Sequence, residues 1–399
     1  MITVADATDI VLSHLYQPTP VSLPLNQCSG RILQEDLVAD RDFPPFNRAT
    51  RDGIALNHKV FANGRTEFRI QATAGAGSPQ LTLQDQNDCI EIMTGAILPL
   101  GCDSVIRYED LDIADGMARV RIDELTQGQA VHPKGSDRKK GDHIVYKGSF
   151  ISPAEVGVAA TIGRSELLVS SLPRTMLIST GDELVPISHQ PEPYQIRQSN
   201  THKLQTVLAK WGIQADMMHF SDDPVVIEAG IKQITSDYDL IIISGGVSKG
   251  KYDYLPNALD KVGVEKYFHR VRQRPGKPFW FGAVPNEATI FALPGNPVSS
   301  FVCAMRYLQP WLRASLGQAP FAPLYAELAA PITFTPELTY FAQVLLSYTR
   351  EGKIIAHPVE GHGSGDLANL TNSSAFMELP QDEDHFEVGE VYAVTPFRG

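Results

Sequence analysis

From about residue 174 to 318, short apolar runs alternate with stretches of helical spacing. That alternation constrains the fold more than any other feature of the chain. TMLIST, the alternating IQADMMHF, the unbroken DLIIIS and ATIFALP read as strands. Between them, Leu204, Val207, Leu208 and Trp211 share a helical face that starts behind Ser199 and stops at Gly212. PVVIEAGIKQI, YLPNALDKVG and the long PVSSFVCAMRYLQPWLRASLG read as further helices. Strands separated by helices form parallel β-α-β units. Residues 172–318 are therefore expected to form a three-layer α/β domain with a mainly parallel sheet.

The flanks follow other patterns. Ala7, Ile10, Val11 and Leu15 mark an amphipathic N-terminal helix that stops at Pro18. SPAEVGVAATIG carries a second helix start, with Ser152 as cap, Pro153 behind it and Glu155 in its first turn. These two helices are expected to pack together, so that residues 1–40 and 137–171 make a discontinuous helical linking domain. Residues 41–136, with FRIQATA, CIEIMTG, DSVIRYE and ARVRID, read as a β-rich insert. After 319, TYFAQVLLSYTREGKIIAHPV reads as a hairpin turning at Glu351-Gly352, and FMELP and EVYAVTPF add strands. A small C-terminal β-barrel is the expectation.

A chain of 399 residues has room for several such cores. Its net charge of −12 disfavours nucleic acid and anionic membranes as general partners. No apolar run reaches the roughly 20 residues of a membrane helix, and MITVADATDIVLSH lacks the basic start of a secretory signal. Cys28, Cys89, Cys102 and Cys303 are scattered, without a CxxC pair, as befits reduced thiols in a cytoplasmic protein. Cys303, among Phe301, Val302 and Met305, is expected to be core rather than a nucleophile.

In open parallel sheets ligands bind beyond the carboxyl ends of the strands. Five unusual loops fall there. They are Thr180-Gly181-Asp182-Glu183, Ser221-Asp222-Asp223, Ser244-Gly245-Gly246 running on through Ser248, Lys249 and Lys251 to Asp253, Arg274-Pro275-Gly276-Lys277-Pro278, and Pro294-Gly295-Asn296-Pro297. Adjacent glycines allow close backbone approach, and their amides can cradle phosphate oxygens. A plain tight turn explains Gly245-Gly246 equally well in isolation; four companion loops favour a ligand. Asp182, Glu183, Asp222 and Asp253 are oxygen donors of the kind Mg²⁺ takes. Asp223 reads better as a helix cap, and Asp222 as either. Arg270, Arg274 and Lys277 are candidate anion clamps, whereas Arg272 should point away if the KYFHRV strand alternates.

SGGVSKGKYDY, RPGKPFWFG, LPGNPVSSF, STGDEL, IMTGAILP and ATRDGIAL together resemble, in order along nearly the whole chain, the molybdopterin molybdenumtransferase family, which includes the E domain of gephyrin. The resemblance implies a cytoplasmic homodimer of four-domain subunits. It implies that molybdate is inserted into adenylated molybdopterin with Mg²⁺-dependent release of AMP. It also implies an upstream donor, a molybdopterin-adenylating protein, and a cleft that pairs the α/β domain of one subunit with the β insert of the other. Carried over by position, the functional residues are Asp52, Thr94, Asp137, Glu183, Asp222, Asp253, Lys277, Pro294, Pro297 and Ser364. Two departures stand out. The family's Ser-Ala-Met-Asp-Gly-Tyr loop has Arg51 and Ile54 in place of Met and Tyr, and two family lysines are Arg270 and Arg274. Charge survives the second change, but lysine-specific chemistry would not. Three alternatives stay open: a non-catalytic scaffold of the gephyrin kind, a molybdopterin adenylyltransferase, and a sugar-phosphate or nucleotide-binding module.

Overall fold

The computed structural model describes residues 1–247, 254–285, 287–319 and 322–398. They divide into two compact units, Met1–Gln34 with Gly148–Ser152 and Glu166–Gly399, and Glu35–Lys147 with Pro153–Ser165.

In the first unit, helix α1 (Val4–Ser13) starts in a capping box. The Thr3 hydroxyl accepts from the Asp6 amide at 3.1 Å, and the Asp6 carboxylate accepts from the Thr3 amide at 3.1 Å. Its buried residues Val4, Ala7 and Val11 enter the α/β core. The partner helix expected for it is Pro153–Thr161. That helix belongs to the second unit and buries only Ala159. The indole of Trp311 donates to the carbonyl of His14 at 2.7 Å, which ties α1 to the α/β layer. The segments 1–40 and 137–171 meet through strands, as Pro20–Pro24 pairs antiparallel with Glu166–Ser170.

The central sheet holds β1 (Thr175–Thr180), β2 (Ala215–Phe220), β3 (Leu240–Ser244), β4 (Glu265–His269), β5 (Trp280–Val284) and β6 (Ala288–Leu293). Their order is β2-β1-β3-β6-β5-β4. The first four in this order are parallel; β5 runs antiparallel to β6, and the edge strand β4 runs antiparallel to β5, back in the direction of the first four. Alternation sends Leu240, Ile242, Phe291 and Leu293 to one core, and Ile241, Ile243, Ile290 and Ala292 to another. Helices α2 (Asn200–Ala209) and α5 (Pro297–Cys303) cover the first face; α3 (Pro224–Ile234) and α4 (Leu255–Lys261) cover the second. Both faces are apolar because both are covered, which is why β3 reads as an unbroken apolar run.

Two elements depart from expectation. The long helix after Pro297 contains a π turn, Ala304–Leu308, before Gln309–Ser315. Pro310 has no N–H to donate back to Arg306, so the regular ladder cannot run through it. The KYFHRV strand ends at His269, and Arg270 adopts a φ of 81°. The N-terminus intrudes there. Ile2 donates to the Arg270 carbonyl at 3.3 Å and accepts from Arg272 at 2.8 Å. Alternation through Arg270, Arg272 and Arg274 is therefore lost.

The C-terminal part closes as a five-stranded barrel of Leu324–Leu328, Thr339–Tyr348, Ile354–Pro358, Ala375–Leu379 and Val391–Pro396. Phe301 packs edge-on against Phe376 and Phe397, at 5.8 and 5.1 Å between centroids. Arg306 pairs with Glu378 at 2.8 Å and donates to Thr8 at 3.1 Å. These contacts fasten the barrel to the helical layer.

The second unit is built on a six-stranded sheet in the order Ser104–Arg107, Gly53–Leu56, Cys89–Ile92, Glu67–Ala74, Met117–Val120, Leu111–Ala114. Among the described residues, no helix is long and apolar enough to cross a membrane.

Ile242 is fully buried at the centre of the sheet. Ile242→Ala is expected to cost about 3 kcal/mol, from lost burial and the cavity left behind. The measurement is the urea midpoint of the α/β domain. A loss under about 1 kcal/mol would show that this core does not depend on β3 packing.

Candidate active site

The carboxyl ends of β1, β3 and β6 open into a cavity of about 1490 Å³. Its floor is set by glycines. Gly245 and Gly246 have φ of 108° and 69°, which L side chains rarely adopt. A Cβ on Gly245 would lie 2.7 Å from the Thr180 hydroxyl and 3.0 Å from its carbonyl oxygen. Two glycines therefore follow β3 because the turn bends into the left-handed region directly against β1. The Gly245 amide is not free for a ligand, since it donates to the Leu293 carbonyl at 3.0 Å. Among the described residues, the Gly246 amide has no such acceptor. The Thr180 hydroxyl beside it is buried without a hydrogen-bond partner, so among the described residues this corner holds donors without a protein acceptor, as a ligand site would.

Asn200, at the start of α2, joins two walls. Its amide nitrogen donates to the Ser244 hydroxyl at 2.9 Å and to the Gly295 carbonyl at 2.7 Å. Asn296 donates to the Ser364 hydroxyl at 2.8 Å, and the Ser364 carbonyl accepts from Val298 at 3.1 Å. The barrel's glycine-rich loop thus closes on the 294–297 loop. Glu183, Asp222, Arg274, Lys277 and Ser364 all line the cavity, as do Ser244, Gly245, Gly246 and residues 294–297. Arg274 sits over the ring of Phe334 at 5.8 Å, and that ring stacks on Tyr340 at 4.3 Å.

Of the other assignments, that of Arg270 needs correction, those of Asp223 and Cys303 hold, and some fall outside the described residues. Arg270 is not in the cavity lining, because the chain turns there rather than continuing as a strand. Asp223 caps α3, accepting from Val225 at 2.8 Å. Asp222 is in the cavity wall, its amide donating to Asp182 at 3.1 Å. Cys303 is fully buried, and burial pushes its thiol up, out of reach of nucleophilic use. Ser248, Lys249, Lys251 and Asp253 lie outside the described residues. Asn200, Phe334 and Tyr340 escaped the sequence reading. Asn200 carried one available signal, an asparagine at a helix start, whereas the two aromatics were indistinguishable from barrel core.

In the second unit, Asp52 and Thr94 meet directly, as the Thr94 amide donates to the Asp52 carboxylate at 2.6 Å. His132 lies 2.8 Å from Asp137 and 3.3 Å from Arg48. Arg48 and His132 are register partners, and neighbouring Ala49 exchanges backbone bonds with Gly95 and Ala96. The loops carrying Asp52, Thr94 and Asp137 are thus held on one short strand pair.

Comparison with known proteins identifies the family. Residues 2–163 match the MoeA N-terminal region (domain I and II), 176–314 the probable molybdopterin binding domain, and 325–397 the MoeA C-terminal region (domain IV). A molybdopterin molybdenumtransferase of Synechocystis is 40% identical over 395 residues, covering 98% of this chain and 99% of that protein. The chain belongs to the molybdopterin molybdenumtransferase family. A second family member, from Synechococcus elongatus, is 32% identical over 396 residues, with 96% of each chain covered. A crystal structure of a Pyrococcus MoeA protein superposes with a TM-score of 0.84 at 27% identity over the full length of both chains.

The Thr94 amide holds the Asp52 carboxyl below its ordinary 3.8. A depressed carboxyl keeps this contact above that pH and loses it as pH falls through the lowered value. The Thr94 amide proton shift is expected to titrate with a midpoint below 3.8, and Asp52→Asn should abolish the titration. A midpoint at or above the ordinary value would remove this hydrogen bond from solution.

Proposed function

We propose that this chain inserts molybdenum from molybdate into adenylated molybdopterin and releases AMP. The observation that carries the reading is the single cavity at the ends of β1, β3 and β6, where glycine turns, three carboxylates and three cations face one space. Family membership supports the chemistry. Exchange of a molybdate oxo ligand for the dithiolene sulfurs releases water, and hydrolysis of the phosphoanhydride consumes it, so the two half-reactions balance.

Gly246 and the loop around it receive the pterin phosphate. Arg274 and Lys277 draw molybdate against the acidic net charge of the chain, Lys277 as a mobile point charge and Arg274 as a planar cation held over Phe334. Pro294, Gly295, Asn296, Pro297 and Ser364 shape the wall that orients the substrate. Glu183 and Asp222 are oxygen donors facing the cavity and fit a hard cation. They make no group of three acidic, histidine or cysteine ligands among the described residues, and Asp253 is the further donor that the motif supplies. Bound there, Mg²⁺ would neutralise charge on the phosphoanhydride. The reading extends to a cytoplasmic homodimer in which Asp52, Thr94 and Asp137 of a second copy complete the cleft, and to a molybdopterin-adenylating protein as the donor.

The test is an assay of the purified chain with adenylated molybdopterin, molybdate and Mg²⁺. AMP release with matching molybdenum in the product is expected, and both should stop when Mg²⁺ or molybdate is withheld. Lys277→Ala should lower the rate by about 10²-fold, the scale for losing one positioned charge in an active site. Absence of AMP and of metallated product would end the reading. ATP consumption with unadenylated pterin would replace it with adenylation.

A further inference from the structure

Behind the cavity wall lies a cation that none of the roles above uses. Lys203, on α2, donates its ammonium to the side-chain amide oxygen Oδ1 of Asn200 at 3.1 Å, to the Ser300 hydroxyl at 3.2 Å and to the Pro297 backbone carbonyl. It also lies 5.5 Å from the centroid of the Phe301 ring. Asn200 passes this contact on to Ser244 and Gly295, and Ser300 donates to Pro297 at 3.0 Å. One side chain therefore braces both the end of β3 and the 294–297 loop. Three acceptors call for the three N–H groups of the charged form. Yet Lys203 has no ion-pair partner among the described residues. A part-buried charge held away from water without a counter-ion is unfavourable, and a methionine would fill the same space without that cost.

We infer that the counter-ion is the ligand: Lys203 is a positioning residue whose part-buried charge, carried behind Asn200 and Pro297, sets the affinity of the cavity for phosphate-bearing molecules. The inference rests on reading the cavity as a phosphate site. Burial holds the Lys203 amine down at about 7. An anion in the cavity favours the charged form, so binding should draw a proton at slightly alkaline pH, and affinity should fall as pH rises through that window. The other charged groups facing this wall are Glu183, Asp222, Glu360, Arg197, Arg274 and Lys277, with His362 across the cavity and His202 on α2 itself. Lys203→Met leaves all of them in place.

The experiment is calorimetric titration of AMP into the full chain in two buffers of different ionisation heat. It compares wild type, Lys203→Met and Lys203→Arg, each first checked for an unchanged melting temperature. AMP titrates near pH 6 itself, so the comparison runs from about pH 7 to about pH 8.5. Wild type is expected to take up part of a proton and to bind about fourfold more weakly at the upper pH. Lys203→Met should lose the uptake and the pH dependence, and bind about fivefold more weakly at about pH 7. Lys203→Arg, permanently charged, should keep affinity without the pH dependence. A Lys203→Met protein that binds AMP with wild-type affinity, or that keeps the proton uptake, overturns the role of Lys203 and leaves the phosphate site standing. Failure of wild type to bind AMP at all overturns both.

Discussion

The approach of the Gly245 backbone to Thr180 is the contact on which the cavity depends. Parallel strands end side by side, and the chain must leave each end without filling the space above it. At β3 it does so by bending into the left-handed region against its neighbour, with the Gly245 amide still bonded across to Leu293. A side chain at Gly245 would collide with backbone as well as with the Thr180 hydroxyl. Gly295 packs on the same point, since a Cβ there would lie 3.6 Å from the Gly245 Cα. The floor is thus made of backbone. It presents amides and hydroxyls where side chains would otherwise stand.

A floor alone would be a groove, and the barrel makes it a cavity. Its loops 331–334 and 358–365 supply the facing wall, held by the Asn296–Ser364 bond and by the aromatic contacts of Phe301 with Phe376 and Phe397. The Arg306–Glu378 pair is mostly buried, with side chains 21% and 27% exposed. A pair so placed adds little net stability over an apolar pair, but losing one partner would be costly. Its value here is registration, because Arg306 also bonds Thr8 and so fixes α1, the π turn and the barrel against one another.

Local patterns made much of this legible. The strand–helix alternation marks the mainly parallel sheet, and the strand-end rule gathers the loops at residues 181–183, 244–246, 274–278 and 294–297 from sequence alone. What failed did so for non-local reasons. The break at Arg270 comes from pairing with Ile2, far away in sequence, which no period within KYFHRV can reveal. The burial of α1 in the α/β core is not legible in its sequence, because an apolar stripe states that a face is buried, not against what. Asn200 and Lys203 were passed over because a polar residue on the first turn of a helix usually faces water. Here α5 covers that turn, and the bonds to Pro297 and Ser300 follow from tertiary packing.

The two arginines that stand where the resemblance implies lysines also divide under this geometry. Arg270 leaves the lining with the turn, so its identity there is not constrained by the cavity. Arg274 stays, with its guanidinium over the face of Phe334, itself stacked on Tyr340. A planar, weakly hydrated cation suits that surface better than an ammonium does. The exchange therefore turns a mobile charge into a fixed one and leaves Lys277, in the same loop, as the flexible cation facing the cavity. In a chain of net charge −12, the attraction of an anion to this space comes from such local placement rather than from the field of the whole molecule.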